Sequence, residues 1–319
     1  MSTTAVLAAH GHSARCYGGS MQSGVVILPD QRWSHTMERW VAAEELGFHS
    51  AWTYDHLWWR SLRDGPWFSA IPILSAVACL TKNTRLGTMV SSPNIRNPVV
   101  LAKETMTIDD LSGGRFTLGL GAGSVGAGDT LSVSADELST AQRVERFAEF
   151  VESIDLLLRE PVASFSGAFY EFEEARMIPG CIQEPRVPLL IAATGKRAMK
   201  ATVGYADSWV STGATGLTVP STLDEHMSAL RGQLDLLASV CAAMGRDFTE
   251  LEKVFLAPPM ADFDPIGSLG EYLELHERCA ALGVQQVVVH WPRADGVYAG
   301  SLDEFVEIAQ KALPQLREL

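Results

Sequence analysis

The sequence predicts an α/β chain of eight strand–helix units, and three observations carry that prediction. Short β-branched apolar runs alternate eight times with longer segments whose apolar residues recur at helical spacing. The stretch Arg85–Ser124 reads without a break as strand, loop, helix, tight turn and strand, with Gly121, Ala122 and Gly123 where the last strand ends. Parallel sheets present backbone to a ligand in this way. A length of 319 residues at 47% hydrophobic content is enough for one large core. Eight units are the count for a closed (β/α)8 TIM barrel, and a doubly wound open sheet is the alternative that pattern alone leaves open. No linker interrupts the alternation, so a single domain over 1–319 is expected.

Residues 1–22 read as an N-terminal extension in which Val6–Ala9 is a candidate short strand. Gly24–Pro29 is the first convincing strand, followed by a helix over Arg39–Leu46 with Ser34 ahead of it as a possible N-cap and Gly47 as its stop. Ser50–Thr53 is the second strand; an aromatic loop and a helix over Ser69–Leu80 follow. Arg85–Val90 is a buried strand that ends at Ser-Ser-Pro. Pro98 opens the next helix, Val99, Ala102, Met106 and Leu111 give it an apolar stripe, and Gly113 closes it. After the strand Phe116–Leu120, residues 123–138 form a glycine- and serine-rich loop facing the expected active site. Thr140–Arg159 is a long helix, and an insertion over 161–186 carries a hairpin, Val162–Phe172, turning at Ser166-Gly167. The remaining units pair Val187–Ala192 with Lys196–Tyr205, Ser208–Ser211 with Ser221–Met244, Val254–Ala257 with Ile266–Leu282, and Gln286–His290 with Leu302–Leu313.

The net charge of −13 is spread along the chain, which disfavours nucleic-acid binding because that requires clustered Lys and Arg. Five scattered cysteines without a CxxC pair suit a reduced, cytoplasmic protein. No apolar run reaches the ~18 residues of a membrane span, so no membrane partner is expected. His10, Gly11, His12 and Cys16 offer ligand types without a scaffold, and no metal is expected. Gly121–Gly126 fits GxGxxG literally, but no helix opens directly after it, so a dinucleotide site is not inferred.

The LGT of the strand at Arg85, the Arg-x-Pro that leads into the helix, the Leu-Ser-Gly-Gly-Arg turn and the following GLGAG together resemble the luciferase-like monooxygenase family. The resemblance is dense over Arg85–Ser124 and implies a (β/α)8 barrel of the luciferase-like type with a mid-chain hairpin insertion. It implies an oxidoreductase using coenzyme F420 or FMN, acting on a small organic substrate, and usually dimeric. F420 is preferred because of the Asp-His pair Asp55-His56. An FMN-dependent monooxygenase is the alternative within the family, and a non-catalytic flavin-binding carrier or sensor is the alternative of another class.

Barrel active sites form at the C-terminal ends of the strands. After Thr53 stand Tyr54, Asp55 and His56. A histidine beside a carboxylate can move a proton near neutral pH, and Trp58, Trp59 and Trp67 can wall a flat ring. The competing reading is a turn-capping Asp55 and a His56 satisfied among packed tryptophans. The family places an Asp-His pair here with the histidine handling the proton, which makes His56 and Asp55 the catalytic candidates. Thr88, Met89, Val90 and Ser91 form the next strand end; the residue types are unremarkable, and the family implies a non-prolyl cis bond at Met89–Val90 behind the cofactor ring. Ala122 of the GLGAG run joins the same cofactor group. Thr194, Gly195, Lys196 and Arg197 open a helix whose free N–H groups suit a phosphate, with Thr212 and Gly213 on the neighbouring strand to complete the cradle. A tight turn with glycine for geometry is the other reading of that segment. Tyr54, the three tryptophans, Ser124 and Trp291 are the substrate-pocket candidates. Several deazaflavin-dependent relatives carry a glutamate where this chain has Ser124, which leaves a second acid–base residue unassigned.

Overall fold

The computed structural model describes residues 21–123, 132–133, 138–214 and 220–317. Eight strands close into a barrel with parallel pairing throughout. The first half comprises β1 (Gln22–Val26), α1 (Trp33–Leu46), β2 (Ser50–Thr53), α2 (Ala70–Leu80), β3 (Arg85–Thr88), α3 (Pro98–Ser112), β4 (Phe116–Gly121) and α4 (Thr140–Arg159). An antiparallel hairpin, β5 (Val162–Ser166) with β6 (Glu171–Arg176), stands outside the barrel. The second half comprises β7 (Leu189–Ala192), α5 (Lys196–Tyr205), β8 (Ser208–Ser211), α6 (Leu223–Met244), β9 (Glu252–Leu256), α7 (Leu269–Ala281), β10 (Gln286–His290) and α8 (Leu302–Leu316). Around the barrel the order is β1-β10-β9-β8-β7-β4-β3-β2, which excludes the open doubly wound sheet.

Alternation along each strand separates two cores. Outward residues such as Leu86, Phe116, Leu118, Ile191 and Trp209 pack under the helices, while Val26, Trp52, Leu190, Val210, Val254 and Val288 fill the barrel interior. Interior packing of this kind makes the barrel a filled core and confines ligands to its ends.

The first helix starts at Trp33, six residues before the expected start at Arg39, and Arg32 at its N-cap position supplies no side-chain bond. Weak helix formers such as Ser34 and Thr36 are carried by tertiary packing: Thr36 and Trp40 are buried, and Trp33 lies against the outer core. Asn97 provides the cap of α3, accepting from the N–H groups of Val99 and Val100, with Pro98 at the first helical position and Gly113 left-handed at its end. Hairpin residues Ala168, Phe169 and Tyr170 donate their backbone N–H groups to Glu149 of α4, which ties the insertion to the body. Its second arm begins at Glu171, beyond the turn predicted at Ser166-Gly167.

Arg115, at the end of the Leu-Ser-Gly-Gly-Arg turn, lies at the opposite face from the strand C-termini. Its guanidinium donates to the carbonyls of Ala78, Thr81, Thr84 and Ser112 and to the Thr81 hydroxyl, at 2.7–2.9 Å. Carbonyls at the end of α2 that lack helical partners are thereby satisfied. This part of the motif is framework.

Candidate active site

The 54–56 segment continues the alternation of β2: Trp52 and Tyr54 face the interior and Asp55 faces the neighbouring strand end. The Asp55 carboxylate is 1% exposed; it accepts from the Ser91 hydroxyl at 2.6 Å and from both ends of the Arg96 fork, at 2.9 and 2.6 Å. Adjacency in sequence suggested that Asp55 orients His56. The structure gives its oxygens to Arg96 and Ser91, so the carboxylate anchors the backbone that carries His56. From the other side, the Trp67 indole donates to the His56 carbonyl at 2.9 Å, and the Tyr54 ring meets the imidazole edge-on at 6.3 Å. His56 is half-buried at the barrel mouth.

Across the mouth, the Tyr54 hydroxyl lies 2.8 Å from Nε2 of His290. Burial pulls the His290 imidazole down to about 3, while a hydrogen bond from its ring to the Ala257 backbone acts in the opposite direction. The neutral ring that results donates to Ala257, and its Nε2 lone pair accepts from Tyr54. Burial also raises Tyr54 well above the usual phenol range, with Tyr298 adding to the effect. Tyr298, held at a left-handed φ of 61°, stacks on His290 with centroids 3.5 Å apart and planes at 7°. Trp59 continues the stack, 6.1 Å from Tyr298 and 5.4 Å from Tyr54. A bulky residue at positive φ together with several perturbed groups marks a functional region.

The Met89–Val90 peptide bond is cis, as the resemblance implied. Pairing of β3 stops at Thr88 and resumes at Ser91, which bridges Leu120. Met89 and Val90 pack on the interior cluster and form a shelf at its top. Two glycines of β4 make room for that shelf. A Cβ at Gly119 would sit 1.9 Å from the Thr88 carbonyl oxygen, and one at Gly121 would sit 2.6 Å from Cγ2 of Val90.

Several expected site residues have other work. The Thr88 hydroxyl donates to the Gly119 carbonyl at 2.9 Å and accepts from its N–H at 3.1 Å, so it joins β3 to β4. Ser91 serves Asp55. Ala122 packs on the outer core. Trp291 is turned away from the mouth: 4% exposed, it meets Phe305 of α8 edge-on at 5.3 Å. Alternation along β10 gives the inward position to His290 instead, so Trp291 is corrected from pocket to outer core. Trp58 is half-buried under the Arg63 guanidinium, 4.8 Å from its ring. Ser124 lies outside the described residues.

The two halves of the expected phosphate cradle differ. Thr194, Gly195, Lys196 and Arg197 are exposed at the start of α5, whose N-terminus has no side-chain cap. The neighbouring turn is satisfied internally. The Gly213 N–H donates to the Ser211 hydroxyl, the Ala214 N–H to Nδ1 of His226, and the Gly213 carbonyl accepts from Gln233. The N–H groups of Gly213 and Ala214 are therefore committed, whereas the α5 N-terminus has no side-chain cap. Among the described residues no group of three or more His, Cys, Asp or Glu is arranged to hold a metal, and no helix is long and apolar enough to cross a membrane.

Arg96, His290 and Tyr298 were not among the sequence candidates for catalysis or cofactor binding. Arg96 stood in the Arg-x-Pro motif, and its partner lies 41 positions away. His290 was visible at a strand end; Tyr298 gave no signal, since its place depends on the loop after β10.

The F420-dependent glucose-6-phosphate dehydrogenase of Kineococcus radiotolerans is 30% identical over 263 residues, covering 79% of this chain and 77% of the relative. Two solved structures share the fold. An F420-dependent secondary alcohol dehydrogenase in complex with an F420-acetone adduct superposes with a TM-score of 0.77 at 18% identity, covering 93% of this chain and 99% of that one. The coenzyme F420-dependent tetrahydromethanopterin reductase of Methanopyrus kandleri gives 0.73 at 17% identity, with the same coverages. The family described as luciferase-like monooxygenase matches residues 5–278, and this match, together with the closed barrel and the Arg85–Ser124 motifs, shows that the chain belongs to the luciferase-like monooxygenase family.

Proposed function

We propose that the protein is an F420-dependent oxidoreductase that moves a hydride between the deazaflavin and a small organic substrate. The observation that carries this reading is the fixing of the chain at His56: Asp55, clamped by Arg96 and Ser91, and Trp67, bonded to the His56 carbonyl, hold this segment at the end of β2, next to the strand whose end carries Met89 and Val90. The donor set suits the cofactor. Lys196, Arg197 and the uncapped α5 turn take its phosphate, Met89 and Val90 back its ring, and Thr194 adds a hydroxyl. When bound, the deazaflavin supplies the two-electron hydride chemistry. In the oxidative direction the substrate C–H bond breaks with its electron pair leaving as hydride, and His56 accepts the proton from the substrate hydroxyl. Tyr54, Trp59 and Tyr298 exclude water from that transfer. The relatives named for F420 support F420 over FMN.

Titration of the purified protein with F420 and with FMN, followed by ring absorbance, tests the cofactor. Tight FMN binding without F420 affinity would turn the reading to the monooxygenase branch, and binding of either without turnover across a substrate panel would turn it to a carrier or sensor. His56→Asn should keep F420 affinity and lower kcat by ~10²–10⁴-fold; an unchanged kcat removes the histidine from the chemistry.

A homodimer is part of this reading. Helix α2 contains no charged residue; Pro72, Cys79 and Leu80 are exposed, and its one polar side chain, Ser75, is bonded back to the Ile71 carbonyl. Exposed apolar side chains on an uncharged helix suit a partner surface, and light scattering should give twice the chain mass; a monomer at micromolar concentration would refute it. A cytoplasmic location fits the four described cysteines, which are all unpaired.

A further inference from the structure

A cavity of about 320 Å³ lies between the loops after β9 and β10, at the active-site end of the barrel. Met260, Phe263, Ile266 and Val297 form its walls, and His290 and Tyr298 form the end it shares with the mouth. We propose that this cavity is the substrate chamber and that it takes an uncharged, largely apolar molecule of about fused-bicyclic size, to the exclusion of phosphorylated sugars. The proposal rests on the oxidoreductase reading above and names its substrate class.

The lining contains one charged side chain, the carboxylate of Asp264, and no Lys or Arg. A phosphate monoester carries ~1.5–2 negative charges at neutral pH and requires cations or a helix N-terminus to replace its water. Two arginines approach these loops, and both are engaged. Arg60 lies 5.0 Å over the Trp59 ring, and Arg293 binds Asp30 at 2.6 Å and the Asp295 carbonyl at 2.8 Å. Lys196 and Arg197 belong to the cofactor turn. His290 is buried and neutral, bonded to Tyr54, and offers an anion nothing. What the chamber does offer is a flat face, the Tyr298–His290 stack, closed by aliphatic and aromatic walls. Flat apolar molecules gain most from such a surface.

Calorimetric titration of the F420-loaded protein with 2-acetylnaphthalene and, separately, with glucose 6-phosphate tests the assignment. The ketone should bind with a dissociation constant on the order of micromolar, and glucose 6-phosphate should show no saturable binding. Met260→Trp, which fills the chamber away from the cofactor turn, should weaken the ketone by about tenfold or more; Val297→Trp serves the same purpose should the first variant fail to fold. Absence of ketone binding, glucose 6-phosphate binding tighter than the ketone, or ketone affinity within twofold of wild type in the folded variants overturns the proposal. The ketone titration is repeated without F420, so a failure of cofactor binding is read separately from a failure of the chamber.

Discussion

Exchanging Arg96 for lysine and Asp55 for asparagine, singly and together, tests whether His56 is positioned by the clamp behind it. The Arg96 side chain is 18% exposed and that of Asp55 1%. Burial opposes the guanidinium's charge, but hydrogen bonds and attraction from Asp55, with Glu104 behind it, prevail and raise its pKa. Lysine keeps the charge and loses the fork, so one of two bonds disappears and a carboxylate lone pair stays empty in a dry site. Removing one partner of a fully buried pair costs ~3–5 kcal/mol. Solvent reaches Arg96 and the lysine remains charged, so about 2 kcal/mol is expected for Arg96→Lys and about 3 kcal/mol for Asp55→Asn. Both changes break the same contact, so the double variant should cost little more than the worse single, a coupling of about 2 kcal/mol. Urea unfolding measures the stabilities. In steady-state assays both single variants should lower kcat by about tenfold or more through misplacement of His56, with little change in F420 affinity. Additive stabilities, or loss of activity in Asp55→Asn alone, would show that Asp55 acts on His56 directly and that the clamp reasoning is wrong.

Acid should destabilise the fold through two buried histidines. Burial lowers His276 to about 4 and His290 to about 3, against opposing hydrogen bonds from the imidazoles to the Tyr272 and Ala257 backbone. Because these folded values lie below the unfolded one, the unfolded chain binds the extra protons. Their contribution is complete above pH ~6.5 and is lost as pH falls, about 3 kcal/mol for each by pH 4. Denaturant midpoints measured from pH 7 to pH 4 should fall accordingly, and a flat profile would contradict the buried neutral state. Arg115→Ala should cost about 3 kcal/mol by uncovering the carbonyls at the end of α2, read as a lower urea midpoint with F420 affinity preserved; a midpoint unchanged within error refutes the framework role.

The barrel was legible because its signal is local: each strand and helix announces itself through its own periodicity, and α5, β8 and β10 fall at their expected boundaries. The site was legible only as far as strand ends go. Asp55 and His56 are neighbours in sequence, but the groups that hold the Asp55 carboxylate, Ser91 and Arg96, lie 36 and 41 positions away, where adjacency gives no sign of them. One-residue alternation along β10 moved Trp291 to the outer core and gave His290 the mouth. The turn after Thr212 looked free because its acceptors, Ser211 and His226, are set by packing of α6 and not by the turn itself. Tyr298 belongs to a loop with no period, so nothing in the chain foretold its stack on His290.

The clamp on Asp55 separates two things that active sites often entangle. Its partners, Arg96 and Ser91, reach it from α3's approach and from β4's neighbour, outside the chamber that Met260, Phe263 and Val297 enclose. Side chains of that chamber can therefore be exchanged for larger, smaller or more polar ones without touching the Asp55–Arg96 contact. A scaffold wired this way would let new compounds be accommodated by rewriting a few loop positions while the clamp stays where it was.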